Sequence, residues 1–198
     1  MILPNNFYTK DTLTVAKELL GKVLVTHTNE GVAKCRIVET EAYLGHSDKA
    51  CHSYQKQPFG RVNVMFAEGG VSYVYLIYGM YYCFNVVTEK EGVPEAVLIR
   101  AGEPVGDTSL IEQRRVKAKR FTQLLSGPGK LCEGMGIGKE HYGISLCSNQ
   151  IYIEDAPLYK GEEIVATPRI NIDYAEEAKD FLYRFVIKDN PHLSVKIK

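Results

Sequence analysis

Glu39, Glu41 and Tyr43 lie two residues apart in the stretch Val38-Glu39-Thr40-Glu41-Ala42-Tyr43-Leu44-Gly45. A strand puts residues at that spacing on one face and the apolar set on the other. Glu41 and Tyr43 would stand about 6.6 Å apart along that face. That spacing lets a carboxylate address one atom of a substrate while an aromatic ring covers its plane, although the same pattern also suits a solvent-facing strand with ordinary charges. A second stretch, Tyr73-Val74-Tyr75-Leu76-Ile77-Tyr78-Gly79-Met80-Tyr81-Tyr82-Cys83-Phe84-Asn85, holds 5 of the 13 tyrosines. Alternation predicts Tyr73, Tyr75 and Ile77 on one face and Val74, Leu76 and Tyr78 on the other, so Tyr75 and Tyr78 should do different jobs. An aromatic at a hairpin tip, such as Tyr78, can wedge between base pairs, whereas one on a pocket face can stack on a flat heterocycle. Tyr81, Tyr82 and Phe84 are expected to pack into the core.

A third stretch, Gln113-Arg114-Arg115-Val116-Lys117-Ala118-Lys119-Arg120, carries five positive charges in eight residues. With Arg100 upstream and Gly127-Pro128-Gly129-Lys130 downstream, it could form a phosphate-contacting surface, or simply a solvated face. The glycine-rich turn lacks the spacing of a P-loop, so a nucleoside triphosphate site is disfavoured, although its amides could hold one phosphate at a helix start. Cys51-His52, with His46 and Asp48 nearby, raises a nucleophilic cysteine or a metal site. The spacings match no defined metal motif, and both ideas are disfavoured. His27, His141 and His192 are expected to be surface or satisfied core residues.

The elements that must position these groups read as α+β. Leu13, Ala16, Leu19 and Leu20 recur at helical spacing, with Asp11 suited to the start and Gly21 to the stop. Residues 22–28 and 32–44 read as two antiparallel strands joined through Asn29-Glu30-Gly31. A polar segment without periodicity runs from Gly45 to Gly60. Residues 72–88 read as two strands meeting near Tyr78-Gly79-Met80, because a lone glycine inside a strand pattern marks a tight turn. Further strands are predicted at 96–101, 144–147, 150–154, 163–167 and 183–187, with helices at 130–135 and around Ala175 to Asp180. The helical pattern of 109–125 is weak. These signals predict a single mixed domain over residues 1–198, with a mainly antiparallel curved sheet flanked by helices and a protruding β-hairpin.

The chain has 198 residues, 24 Lys+Arg against 24 Asp+Glu, and five cysteines with no C-x-x-C pair. Balanced charge excludes a histone-like protein held to nucleic acid by its global field, so anion binding must be local. A disulfide framework and a zinc ribbon are disfavoured, and neither a signal peptide nor a membrane span is legible, so a soluble protein of a reducing cytoplasm is expected.

The segments Glu39-Thr40-Glu41-Ala42-Tyr43, Tyr73 to Asn85, Val97-Leu98-Ile99-Arg100-Ala101 and Gly127-Pro128-Gly129-Lys130-Leu131-Cys132, in this order, resemble the alkyladenine (3-methyladenine) DNA glycosylase family. The likeness extends from Ala16 to Thr167-Pro168-Arg169-Ile170 and the Arg184-Phe185 strand, nearly the whole chain. It implies a monofunctional hydrolase of base excision repair that extrudes an alkylated or deaminated purine from double-stranded DNA. By this resemblance Glu41 activates a water, Arg100 helps hold it, and Tyr43, His52 and Tyr75 wall the base pocket. Asn85 screens the purine edge and Tyr78 intercalates. Arg61, Arg114, Arg115, Lys117 and Lys130 are the candidate contacts to the DNA backbone. No metal or organic cofactor is implied. The partner is duplex DNA, with a monomer and no membrane expected, in a bacterial-type cytoplasm or a eukaryotic nucleus. One departure stands out: Val62, in Arg61-Val62-Asn63-Val64-Met65-Phe66, occupies a place where the family often has Asn. With zero net charge, binding through one basic face should weaken steeply with salt.

Overall fold

The computed structural model describes residues 1–197. A short helical turn, α1 (Asn5–Tyr8), precedes α2 (Thr12–Glu18), whose first turn is capped by the Asp11 carboxylate accepting from the Thr14 amide at 2.8 Å. Such a cap satisfies a donor that the helix itself leaves unpaired. β1 (Val23–Thr28) and β2 (Gly31–Tyr43) form the expected hairpin, closed at Thr28 opposite Gly31. β3 (Ser72–Ile77) and β4 (Tyr81–Thr88) form the second, and β5 (Glu95–Pro104) extends the predicted 96–101 strand at both ends. After α3 (Ser109–Arg114) and α4 (Pro128–Met135) come β6 (Ile151–Glu154), β7 (Ile164–Thr167) and β8 (Arg184–Ile187).

All eight strands join one open antiparallel sheet in the order β3-β4-β5-β2-β1-β6, with β7 and β8 joined off this path through β8 on β2. β2 is the spine. One edge pairs with β5, while the other pairs with β1 at residues 31–36 and with β8 at 39–41. The β2–β5 register slips twice, so that Ile37 faces Gly102, Glu39 faces Ala101 and Thr40 faces Ile99. The second slip leaves Arg100 without a partner in the ladder, and such a bulge re-aims a side chain. On β2 the Thr40 hydroxyl bonds the Ala16 carbonyl of α2, so Thr40, with Val38 and Ala42, faces the main core and the Glu39, Glu41, Tyr43 set faces away from it.

Three expectations need correction. Residues 144–147 are not a strand: Ser145 and Cys147 make only isolated bridges, to Val71 and Tyr152. The charged segment before Asp180 forms a short 3-10 turn, Glu176–Asp180, rather than an α-helix. Tyr81 is not core. It is 45% exposed, with its side chain against Gly129, where an added Cβ would come 3.0 Å from the Tyr81 Cβ and 3.1 Å from the ring. Phe84 is fully buried and Tyr82 is partly buried against the core, as expected. Among the described residues no helix is long and apolar enough to cross a membrane.

Candidate active site

The β2 face that carries Glu41 opens beside a cavity of about 920 Å³, at the large end of small-molecule sites. Tyr43, His52, Tyr75, Asn85 and Arg100 all line it, and so do Tyr73 and Tyr78. Tyr73, Tyr75 and Ile77 share this wall because alternation along β3 puts them on one side. The rings are set at defined angles. Those of His52 and Tyr75 meet edge to face at 4.6 Å, and those of Tyr73 and Tyr75 lie 5.2 Å apart. The His52 Nδ1 shares a 2.9 Å hydrogen bond with the Tyr73 hydroxyl. Burial, with the charges of Arg61 and Lys56, pushes the imidazole pKa down to about 4, so the ring is neutral at physiological pH. Burial likewise pushes the Tyr75 phenol up, as does its bond to Cys83. Asn85 donates to the Tyr73 carbonyl at 2.9 Å, which fixes its amide on the wall.

Glu41 is fully buried and stands immediately behind that wall, reached through groups that line it. Its Oε1 accepts from the Ile170 amide at 2.8 Å. Its Oε2 accepts from the Tyr43 hydroxyl at 2.8 Å and from Arg100 Nη1 at 3.3 Å. The strand spacing thus brings the two side chains into direct contact instead of leaving them on separate parts of a substrate. Burial, then the Glu41 charge, pushes the Tyr43 phenol well above its ordinary range, so it remains a protonated donor. Burial opposes the charge on Arg100, but Glu41 and Glu39 outweigh it and raise its pKa.

Glu39, on the same face, does other work. It accepts from Arg100 Nε at 3.0 Å, from Arg184 Nε at 2.8 Å, and from the Ser194 amide and hydroxyl at 2.7 and 2.8 Å. Arg100 therefore bridges a structural carboxylate and the one beside the cavity.

At the cavity mouth, Tyr78 is 78% exposed on the β3–β4 turn, flanked by exposed Met80. Tyr78 and Gly79 have φ of +53° and +67°, and the Met80 amide closes the turn on the Ile77 carbonyl. Both central residues with positive φ make a tight hairpin turn that glycine adopts freely and tyrosine rarely does. Gly127 and the first turn of α4, Pro128 to Lys130, border the same opening with Lys117. Arg61 is exposed, with its guanidinium 5.8 Å from the Tyr75 ring.

Two of the expected backbone contacts are already engaged within the chain. Arg114 is held by Glu30, Thr28 and the Gly134 carbonyl, and Arg115 by Glu133 and the Leu124 carbonyl. Arg114 ties α3 to α4 and to the β1–β2 hairpin, and Arg115, which also lines the cavity, ties α3 to α4 and to the Leu124 segment; both are about nine-tenths buried. Arg61, Lys117 and Lys130 are exposed, and no salt bridge occupies them among the described residues. Val62 is 3% exposed and packs with Cys51, Met65 and Tyr73, so the departure at this position puts an apolar prop under the pocket.

Cys51 is buried and its thiol is pushed up, chiefly by burial, which is the opposite of what a nucleophile needs. The Asp48 carboxylate is taken by Arg169 and by the Leu44 and Ala50 amides. Residue patterns missed Tyr73, which shares the face of Tyr75, and also Arg169, Ile170 and the rim residue Tyr174. The Thr167-Pro168-Arg169-Ile170 motif was the available signal for two of these.

A cavity walled by aromatic rings suits a flat heterocycle, and a buried carboxylate touching that wall suits hydrolytic acid–base chemistry. The arrangement thus suits an enzyme that acts on a base-like group. Comparison with known proteins specifies which. Residues 6–191 match the family described as Methylpurine-DNA glycosylase (MPG). Proteins named "Putative 3-methyladenine DNA glycosylase" are similar over the full length. That of Natranaerobius thermophilus is 48% identical over 98% of this chain and 100% of its own, that of Alkaliphilus oremlandii 51% over 99% and 100%, and that of Methanocella arvoryzae 50% over 98% and 96%. The chain belongs to the methylpurine-DNA glycosylase family: it is a DNA glycosylase, a hydrolase of the N-glycosidic bond in base excision repair.

Proposed function

We propose that this glycosylase takes an alkylated or deaminated purine, swung out of duplex DNA, into the aromatic cavity and hydrolyses its glycosidic bond with a water activated by Glu41. The observation that carries the reading is the contact of fully buried Glu41 with Tyr43 and Arg100, both of which line that cavity. The base lies between the rings of Tyr43, His52 and Tyr75, where neutral His52 does not repel a cationic alkylated purine. Asn85 meets the purine edge, and Tyr78 fills the gap left in the stack.

A water held by Glu41 and Arg100 attacks C1′. Its proton passes to the carboxylate, the C1′–O bond forms, and the C1′–N bond breaks with its electron pair leaving on the base. The negative charge of Glu41 also opposes the cationic charge that develops on the sugar. Arg61, Lys117 and Lys130 meet phosphates around the mouth, and one copy of the chain suffices, acting where the cell keeps its DNA. The names borne by relatives support 3-methyladenine as one lesion, and the stacking walls support neutral purines such as hypoxanthine or ethenoadenine as others.

The test is single-turnover excision from duplexes holding one lesion, followed by alkaline cleavage at the abasic site. Glu41→Gln should lower the excision rate by about 100-fold or more while binding the lesion duplex about as tightly as wild type. Excision by this variant at the wild-type rate overturns the proposal.

A further inference from the structure

Three consecutive residues of β2 are gripped from one place. Arg169 Nη1 donates to the Ala42 carbonyl at 2.9 Å, and the Arg169 guanidinium lies 4.7 Å from the Tyr43 ring centre and 5.3 Å from that of Tyr183. The amide of the next residue, Ile170, donates to Glu41 at 2.8 Å. The side chain of Arg169 is fully buried. It is paired through both terminal nitrogens with Asp48, itself 1% exposed, and Nη2 also reaches the Ala178 carbonyl at 3.2 Å. Asp48 in turn accepts from the Leu44 and Ala50 amides at 3.0 Å, fixing the segment that leads to Cys51 and His52.

We propose that Arg169 is a positioning residue of the glycosylase reaction, setting the plane of Tyr43 and the orientation of Glu41 from behind the pocket while Asp48 fixes the guanidinium. The proposal rests on the reading of Glu41 as the base. Arg169 does not line the cavity, so it acts through these neighbours rather than on the substrate. A planar fork is needed, because one group must bond a carboxylate and two carbonyls while its charge stands beside two aromatic rings. A lysine supplies a point charge and cannot do all of this. Lateral drift of about 1 Å at a reacting group costs on the order of 100-fold in rate.

The experiment is single-turnover excision of hypoxanthine from a duplex by Arg169→Lys, below its melting temperature, with the rate constant and the amplitude read separately. Misalignment lowers the rate constant at saturating enzyme by about 10- to 100-fold and leaves the half-saturating concentration within about threefold. A purely structural role lowers the amplitude, as fewer molecules are folded, and leaves the rate constant of the active fraction at the wild-type value. That result overturns the proposal. Should Arg169→Lys not fold, Asp48→Asn carries the same test with the same two outcomes. Excision at the wild-type rate by Glu41→Gln retires the base reading itself, a result that neither variant of the clamp produces.

Discussion

Glu39 and Glu41 offer a contrast that local sequence does not reveal: two buried carboxylates on one strand face, both bonded to Arg100, with different losses expected on the same substitution. Glu39→Gln strips the charge from a group that bonds two buried guanidiniums and both Ser194 donors. Arg100 keeps Glu41, but Arg184 loses its charged partner and among the described residues keeps neutral acceptors, including the Thr167 hydroxyl and the Val195 carbonyl. Uncovering a buried charge in this way costs about 3–5 kcal/mol, which for a chain of this size lowers Tm by about 6–20 °C. Glu41→Gln leaves Arg100 paired with Glu39 and loses hydrogen bonds to a charged acceptor, about 1.5–3 kcal/mol, with the larger penalty falling on the rate.

Glu39 also carries an acid limb. Burial raises the Glu39 pKa, but Arg100, Arg184 and the Ser194 amide outweigh it, and the folded-state value lies below the ordinary one. Its contribution is therefore fully present above the unfolded value of about 4.3 and is lost as pH falls through the folded one. Glu39→Gln should flatten the loss of stability below about pH 4.3. Thermal melts from pH 3 to 7, about the range that spans these values, with excision rates at pH 7 on the same preparations, measure all of this. A Glu39→Gln melting temperature within about 2 °C of wild type, less than 1 kcal/mol would produce, would refute the assignment of Glu39 as the structural hub.

His52 predicts a second, milder limb. Its pKa of about 4 against about 6.5 unfolded makes the unfolded chain take up the proton first, so stability declines as pH falls from about 6.5 to 4, by at most about 2–3 kcal/mol after solvent screening. His52→Phe should remove that slope in chemical-denaturation curves. Tyr78→Gly relieves a positive-φ tyrosine and should raise stability by about 1 kcal/mol, yet weaken binding to the lesion duplex, as read by equilibrium titration. Alanine at Lys117 or Lys130 should leave melting unchanged and reduce the slope of log affinity against log salt by about 0.9 for each phosphate left without its lysine. Alanine at Arg114 or Arg115 should instead lower the melting temperature, because their bonds are internal.

What the chain determined by itself was local. Alternation from Tyr73 to Ile77 fixed which tyrosines share a wall, Gly79 marked the turn that lifts Tyr78 into solvent, and Asp11 marked a helix start. Each depends on neighbours within a few residues, where backbone geometry leaves few choices. The spacing that put Glu41 and Tyr43 together also belonged to this class, although it gave no sign that the two bond each other. Only the tertiary structure decided which charges are free. Arg114 and Arg115 read as members of a basic run until Glu30 and Glu133 claim them. Arg100 reaches both glutamates because the β2–β5 register slips at its position. The Ile170 amide and the Arg169 clamp come from a segment far from Glu41 in sequence. Pairings over such distances are fixed by the closing of the whole sheet, since a buried charge must find its partner wherever the fold brings one.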